Sequence, residues 1–127
     1  ELLRTYHEGI ICCSACLGNM MLRSSIANET LQSFRFAVAF LGTTGIKFHN
    51  GPTTGDYGEM LQKRQAIANS EYTVVLCDSS KFQSGGITRY AHWNEINCLI
   101  TNSAIPDGIH KTMCDLAPDM KIIVPET

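Results

Sequence analysis

The sequence predicts an α/β fold in which a mostly parallel β-sheet is flanked by helices. Short apolar runs, such as residues 38–41 and 72–77, alternate along the chain with segments whose apolar residues have helical spacing. The runs lack a polar residue at every second position, which is typical of parallel strands covered on both faces. This alternation favours a parallel sheet with right-handed crossovers. With 127 residues, the chain is long enough for one domain with its own core.

The first half of the chain predicts two strands and a short helix. Residues 10–17 are small and apolar up to Gly18, which indicates a buried strand. Asn28 has the side chain of a helix N-cap, so a short helix is expected from there to about Arg35. The second strand, residues 38–41, is followed by a loop of 14 residues. A loop of that length in a compact domain is usually functional or disordered.

The second half predicts two helices and the remaining strands. Asp56 is placed to cap a helix that runs to about Asn69. Pro106 and Asp107 suit a helix start, because proline needs no hydrogen-bonded N–H there and the positive end of the helix dipole stabilises a carboxylate. The other predicted elements are a strand at 72–77, an edge strand at 87–91, one helical turn at 92–95, a strand at 97–101, a helix at 105–116 and a strand at 121–124.

Composition and charge exclude several function classes. Twelve acidic and ten basic residues leave a net charge of −2, which gives no electrostatic footprint for nucleic acid. No apolar run approaches the roughly 20 residues of a membrane span. Six cysteines, most of them in apolar runs, predict reduced core thiols of a cytosolic protein. Because the sequence begins at Glu1 rather than at a methionine, it is expected to be a piece of a longer protein.

Two of the predicted strands end in loops of glycines, hydroxyl residues and charges. Ligands of open α/β sheets bind at the carboxyl ends of strands, in loops of this kind. Backbone N–H groups and hydroxyls would hold an anion there, and Lys81 would supply a point charge. A solvent-facing lysine and an ordinary turn are the alternatives. The residues concerned are Gly42, Thr43, Thr44 and Gly45 after the strand 38–41, and Asp78, Ser79, Ser80 and Lys81 after the strand 72–77.

Motifs for the common cofactors and for catalysis are absent. The glycines form neither a P-loop nor the dinucleotide-binding pattern, so no cofactor is expected. The four histidines lack metal-ligand spacing, the single CxxC at 13–16 has no second pair, and no Gly-x-Ser-x-Gly occurs. Neither a metal site nor a catalytic residue is therefore predicted. Glu59 and Lys63 lie four positions apart and can belong to a site, although a solvated ion pair is the commoner outcome.

Several segments of the chain occur in the same order in one known family. They are Ala39-Phe40-Leu41-Gly42-x-x-Gly45-Ile46, Gly51-x-Thr53-Thr54, Asp56-x-x-Glu59-x-x-x-Lys63-Arg64, Cys77-Asp78-Ser79-Ser80-Lys81-Phe82, and Ile96-Asn97-x-Leu99-Ile100-Thr101-Asn102 followed by Ile105-Pro106. With this order and spacing, residues 9–124 resemble the C-terminal effector domain of DeoR-type bacterial transcriptional regulators.

The resemblance implies a Rossmann-like fold related to ribose-5-phosphate isomerase, glucosamine-6-phosphate deaminase and the CoA-transferases. It implies binding of a phosphorylated sugar or related metabolite, which modulates DNA binding by an N-terminal helix-turn-helix domain. In the related enzymes a lysine at the position of Lys81 helps to hold the substrate phosphate, and the loop at 42–45 lines the sugar site. The candidate ligand-binding set therefore also includes Thr53, Thr54, Asp56, Glu59 and Lys63.

Three features depart from the family pattern. Ala37 stands where the family usually has an aspartate, and Asn102 replaces another aspartate. The family's first strand, with its Asp-x-Gly-Thr-Thr phosphate loop, is expected to precede residue 1. The chain is thus predicted to be a single effector-binding domain, residues 1–127, without that strand and without the helix-turn-helix domain.

The predicted function is ligand sensing in a cytoplasmic, self-associating repressor of sugar metabolism. Such a protein has no membrane contact and binds operator DNA only through the missing N-terminal domain. A sugar-phosphate isomerase or deaminase on the same fold is the alternative. It needs a positioned general base, for which Asp56, Glu59 and Asp78 are the candidates. A purely oligomerising module is a third interpretation.

Overall fold

A computed structural model describes residues 31–46, 50–106 and 108–125 of the chain. Its main sheet has four parallel strands in the order β1-β3-β5-β6, and a separate two-stranded sheet pairs β2 with β4. This arrangement confirms the predicted α/β fold with a mostly parallel sheet. The strands are β1 Phe36–Gly42, β2 Thr53–Thr54, β3 Ser70–Leu76, β4 Thr88–Arg89, β5 Cys98–Ile100 and β6 Lys121–Ile123, and the helices are α1 Tyr57–Ala68 and α2 Ile109–Leu116.

Helix α1 begins and ends where its sequence predicts. The Asp56 carboxylate accepts a hydrogen bond from the N–H of Glu59 at 2.9 Å, which is the N-cap contact expected of an aspartate before a helix. At the other end, the N–H of Asn69 donates to the carbonyl of Gln65 at 3.1 Å. The helix connects β1 to β3, and these strands pair in parallel from Phe36↔Ser70 to Gly42↔Leu76.

Helix α2 begins four residues later than the sequence predicts. The N–H of Ile109 donates to the carbonyl of Pro106 at 3.1 Å, so a turn precedes the helix. Gly108 has a φ of 84°, a left-handed conformation that breaks the run of helical dihedrals before Ile109. The prediction of a helix from Ile105 was therefore wrong in its start and right in its end at Leu116.

The long loop after β1 and the expected edge strand at 87–91 form a small sheet together. Residues Thr53–Thr54 pair antiparallel with Thr88–Arg89. The loop is therefore not a plain connection, and the edge strand does not join the main sheet. The predicted strand at 10–17 lies outside the described residues, as do residues 28–30 of the predicted helix at 28–35. In the described part of that helix only Leu31 and Gln32 are helical, so the prediction of a helix to about Arg35 was wrong in its end, and the strand β1 begins at Phe36.

The two faces of the main sheet differ in burial. Leu41, Val75 and Leu99 pack with side chains of both helices, among them Met60 and Met113, in one apolar cluster. Alternate residues of a strand point to opposite faces. On the other face, large side chains of β1 and β3 are exposed: Val38 42%, Phe40 65%, Tyr72 39% and Leu76 43%. Among the described residues, the helices therefore build a core on one side of the sheet.

The cysteines in the described part of the chain are free, as predicted. Cys98 is buried in β5, and Cys77 is half-buried at the end of β3. Cys114, which was expected in the core, is exposed. Its neighbour Met113 takes the inward position of α2, and the next residue lies about 100° further round a helix.

No helix in the described ranges has the length and apolar character that a membrane span requires.

Candidate functional site

A cavity of about 610 Å³ opens at the carboxyl ends of the parallel strands. Four of the predicted site residues line it, Gly42 and Thr43 at the end of β1 and Asp78 and Lys81 after β3. Because β1 and β3 are parallel neighbours, the loops that follow them meet at one edge of the sheet. The structure thus places the predicted strand-end residues around a common cavity.

The other predicted site residues do not line the cavity. Some of them cap elements or tie loops to one another, as described below. They are Thr44, Gly45, Thr53, Thr54, Asp56, Glu59, Lys63, Ser79 and Ser80.

The loop after β3 turns through a short 3₁₀ helix, Ser79–Phe82, which Asp78 caps. The Asp78 carboxylate accepts from the N–H of Ser80 at 2.8 Å and also from the Ser80 hydroxyl. The Asn102 side-chain oxygen accepts from the N–H of Ser79 at 3.0 Å. These two N–H groups, which the sequence offers to an anion, thus have protein acceptors. The Ser80 hydroxyl, followed by its N–H, holds the pKa of the Asp78 carboxyl below its ordinary value.

Lys81 is the cation of this cavity. Its side chain is half-buried, and among the described residues its ammonium group makes no hydrogen bond or ion pair. The backbone of Lys81 is held in place, because its carbonyl accepts from the N–H of Ile46 at 2.8 Å and its N–H donates to the carbonyl of Asp78 at 3.1 Å. A fixed backbone with an uncommitted ammonium group is suited to binding an anion as a point charge.

The polar groups of the loop after β1 bind one another. The Thr43 hydroxyl shares its single proton between the carbonyl oxygens of Gly45 and Thr53, at 3.1 and 2.9 Å, and accepts from the N–H of Thr53 at 3.1 Å. The Thr53 hydroxyl donates to the carbonyl of Gly45 and accepts from the N–H of Gly86 at 2.7 Å. Thr53 is buried, so these bonds satisfy groups that water does not reach.

Gly45 lets this loop approach the segment after β3 closely. A Cβ atom at Gly45 would lie 1.9 Å from the carbonyl oxygen of Ser84. The Ser84 hydroxyl donates to the carbonyl of Thr44 at 3.0 Å across the same contact. The glycine predicted to contact ligand is therefore required for packing between two loops.

Glu59 and Lys63 of α1 form hydrogen bonds with β2 and with the end of β1. The Glu59 carboxylate accepts from the buried hydroxyl of Thr54. The Lys63 ammonium donates to the carbonyl of Gly42 at 2.8 Å, and the Tyr90 hydroxyl donates to the same carbonyl at 2.9 Å. Lys63 is only 9% exposed and lies 4.9 Å from the centre of the Tyr90 ring. Burial raises the pKa of Tyr90, so it stays a neutral donor to the carbonyl at the end of β1.

Sequence reasoning missed six residues that complete the lining. Their common signal is position: each lies at or just beyond the carboxyl end of a parallel strand, where the rule applied to β1 and β3 also holds for β5 and β6. Cys77 was interpreted as a core thiol, and burial does raise its pKa to about 11. The missed residues are Leu76, Cys77, Ile100, Thr101, Asn102 and Pro125.

A second concavity, of about 570 Å³, contains none of the predicted site residues. Its polar lining includes Arg64, His92 and Glu95. Among the described residues, no group of three or more His, Cys, Asp or Glu side chains is arranged to hold a metal ion. The cavity at the strand ends is therefore the candidate site.

A family model described as the DeoR C-terminal sensor domain matches residues 16–103. The chain belongs to this family. The matched range contains β1 to β5 and all of the cavity lining except Pro125. The DeoR-type assignment made from ordered segments is thus confirmed, and the sensor-domain match includes the candidate site.

Curated relatives of this DeoR-type chain are transcriptional regulators. The HTH-type transcriptional repressor GlcR of Bacillus subtilis is 34% identical over 95 residues, which are 75% of this chain and 35% of GlcR. YulB of the same species, an uncharacterized HTH-type transcriptional regulator, is 26% identical over 104 residues, 77% of this chain and 40% of YulB. The glycerol-3-phosphate regulon repressor of Haemophilus influenzae is 28% identical over 96 residues, 72% of this chain and 37% of the repressor. The chain thus spans two fifths or less of the length of these relatives.

Proposed function

We propose that this chain is the effector-binding domain of a repressor of sugar metabolism, and that the strand-end cavity binds a phosphorylated sugar or a related metabolite. The observation that carries the proposal is the Lys81 ammonium, which lines the cavity and makes no hydrogen bond or ion pair within the described residues, although its charge attracts the Asp78 carboxylate. One relative's name refers to a glycerol-3-phosphate regulon and another's to the aga operon. The first of these names fits regulation linked to a small phosphorylated carbon compound.

The charges in the cavity suit a ligand that carries both a phosphate and hydroxyls. Lys81 would hold the phosphate as a point charge. The Asp78 carboxyl, whose pKa is lowered by its hydrogen bonds from Ser80, is ionised at neutral pH as an ordinary aspartate is, so it would repel the phosphate and accept from a sugar hydroxyl. Asn102 and the Thr43 loop would meet the remaining hydroxyls. In this arrangement Ser79 and Ser80 would set the position of the loop through their N–H groups, which donate to the side chains of Asn102 and Asp78.

DNA binding would belong to a helix-turn-helix domain outside these 127 residues. The net charge of −2 gives this chain no affinity of its own for the DNA backbone. In a self-associating cytoplasmic repressor, ligand would shift the population between two arrangements of the DNA-binding heads. It can do so only by the difference in its affinity for the two arrangements.

An isomerase or deaminase has less support as the alternative. Asp56 and Glu59, two of its candidate bases, bind a helix N-terminus and the Thr54 hydroxyl and do not line the cavity. Asp78 does line it, but the lowered pKa makes it a weak base near neutral pH. Turnover of a sugar phosphate that Asp78→Asn abolishes would reverse this preference.

Thermal unfolding of the chain with and without ligand tests the proposal. The panel is glycerol 3-phosphate, fructose 1-phosphate and glucose 6-phosphate, each beside its unphosphorylated counterpart. A ligand at 100 times its dissociation constant adds about 2.7 kcal/mol of stability, which corresponds to roughly 10 °C for a domain of this size. We expect such a shift with a phosphate ester and not with the free sugar or glycerol.

Lys81→Ala should remove most of this shift, and Lys111→Ala is the matched control. Lys111 is an exposed lysine of α2 that does not line the cavity. Equal shifts in both variants would show that the phosphate is bound elsewhere. If no phosphate ester shifts the midpoint of this chain or of a longer chain that carries the predicted Asp-x-Gly-Thr-Thr loop, the proposed function is wrong.

A further inference from the structure

Thr101 carries a buried hydroxyl whose partner is missing from the described part of the chain. The residue is 3% exposed, and its hydroxyl oxygen has no hydrogen bond. Buried side-chain hydroxyls in folded proteins nearly always have a partner, because an unpaired one costs the loss of its hydration. A valine would fill the same volume without an unpaired hydroxyl, so the presence of a threonine at this position needs an explanation.

The position of Thr101 is fixed by the sheet. Its N–H donates to the carbonyl of Ile123 at 3.0 Å, which anchors the residue at the carboxyl end of β5. It lines the same cavity as Lys81, Asp78 and Asn102. The unpaired hydroxyl therefore lies at the candidate site, on a rigid strand end.

The neighbouring thiol does not satisfy this hydroxyl. Burial raises the pKa of the Cys77 thiol to about 11, and a weak polar contact with the Thr101 hydroxyl offsets part of that rise. Cys77 thus stays protonated at neutral pH. A thiol is a weak donor and a weak acceptor, and the contact falls short of a hydrogen bond. The hydroxyl keeps its capacity for a stronger partner.

We propose that the Thr101 hydroxyl hydrogen-bonds a hydroxyl or carbonyl oxygen of the ligand's carbon skeleton, and so determines which phosphate ester the cavity accepts. The proposal rests on the proposed function, since it assumes that Lys81 holds the phosphate. The Lys81 ammonium and the Thr101 hydroxyl would have different roles because their chemistry differs. A cation such as Lys81 binds any phosphate, whereas a buried hydroxyl discriminates, because a ligand without a matching group leaves it unpaired.

Burial makes the contact selective. Thr101 is shielded from water, so a ligand oxygen that reaches it makes a hydrogen bond for which bulk solvent does not compete. Two residues that share the cavity with it, Leu76 and Asn102, have exposed side chains that can move as a ligand enters. Skeletons of different length would place their oxygens at different distances from Lys81, and only some would reach Thr101.

Thr101→Val and Thr101→Ser separate this role from a structural one. Valine keeps the shape and removes the hydroxyl, and serine keeps the hydroxyl. Calorimetric titrations compare glycerol 3-phosphate, fructose 1-phosphate and glucose 6-phosphate with inorganic phosphate. For the ester that binds the unmutated chain most tightly, we expect Thr101→Val to weaken binding about tenfold or more. Binding of inorganic phosphate should stay unchanged, and Thr101→Ser should keep most of the affinity for the ester.

The unfolding midpoint without ligand is the second readout. Because the hydroxyl is unpaired, Thr101→Val should leave that midpoint unchanged or raise it. A lowered midpoint, or equal losses of affinity for the ester and for inorganic phosphate, would overturn the role of Thr101. Unchanged ester affinity in Thr101→Val would also overturn it and would leave the phosphate-binding function intact. If neither the unmutated chain nor the longer chain with the predicted Asp-x-Gly-Thr-Thr loop bound any of the esters, the proposed function and this inference would fail together.

Discussion

The loops that follow β1 and β3 are built from similar residues and use them in opposite ways. In the β1 loop, residues 43–54, the hydroxyls of Thr43 and Thr53 bind backbone groups of the loop itself and of Gly86. In the β3 loop, residues 77–82, Asp78 and Ser80 are exposed and the Lys81 ammonium has no partner among the described residues. Glycine and hydroxyl content alone therefore does not indicate whether the polar side chains of a loop are buried or exposed.

The difference lies in where the hydrogen-bonding capacity goes. A loop whose donors and acceptors satisfy one another is rigid and has little left for a ligand. A loop that keeps a cation and a carboxylate at the surface of a cavity can exchange water for ligand at low cost. We therefore expect changes in the β1 loop to alter stability and changes in the β3 loop to alter binding.

The largest effect on stability should come from Gly45→Ala in the β1 loop. The new Cβ would lie 1.9 Å from the Ser84 carbonyl oxygen, so the backbone of one segment must shift. Overpacking of this kind costs about 3 kcal/mol of the free energy of unfolding, measured by urea denaturation. Gly55→Ala is the control, because nothing lies within 4 Å of a Cβ there. Equal losses in the two variants would contradict the close packing of the loops.

Thr53→Val should destabilise the chain by about 2 kcal/mol, because it leaves the N–H of Gly86 and the carbonyl of Gly45 without the Thr53 hydroxyl. The matched change in the β3 loop is Ser80→Ala, which also removes one hydroxyl. Ser80 is exposed, so we expect a loss of less than about 0.5 kcal/mol. Comparable losses in urea denaturation would remove the distinction between the loops.

A further effect depends on pH and concerns the half-buried Cys77 at the start of the β3 loop. Burial raises the pKa of Cys77 from 9.0 to about 11, so the folded chain keeps a proton that the unfolded chain releases. The corresponding stability is present in full below pH 9 and is lost as the pH rises to about 11. Cys77→Ala should lose less stability over this interval than the unmutated chain. Parallel curves of unfolding free energy against pH would show that the thiol does not contribute.

The sequence predicts those parts of the fold that depend on local signals. The apolar runs of β1 and β3 and the Asp56 cap of α1 are readable without knowledge of their partners. The β2–β4 pairing was missed because two-residue strands have no periodicity and because Thr53 and Arg89 are far apart in the chain. The start of α2 was wrong because the conformation of Gly108 is not evident from its surroundings in the sequence.

The sequence likewise predicted only some of the residues that line the cavity. The position of Lys81 at a strand end is a local signal, and the structure places it in the cavity. The hydroxyls of Thr43 and Thr53 looked equally available, and only the fold reveals the carbonyls that they bind. Thr101 was missed for the converse reason, since nothing in a sequence indicates that a buried hydroxyl will lack a partner.

One hydrogen bond between the two loops has a consequence for local unfolding. The N–H of Ile46 donates to the carbonyl of Lys81, the residue that carries the cation of the cavity. The β3 loop cannot lift from the sheet edge unless this bond breaks, and the β1 loop loses the same contact when it does. The two loops should therefore open as one cooperative unit, with a common free energy of opening in amide hydrogen exchange. An anion held by Lys81 would then slow exchange at Ile46, which lies in the other loop.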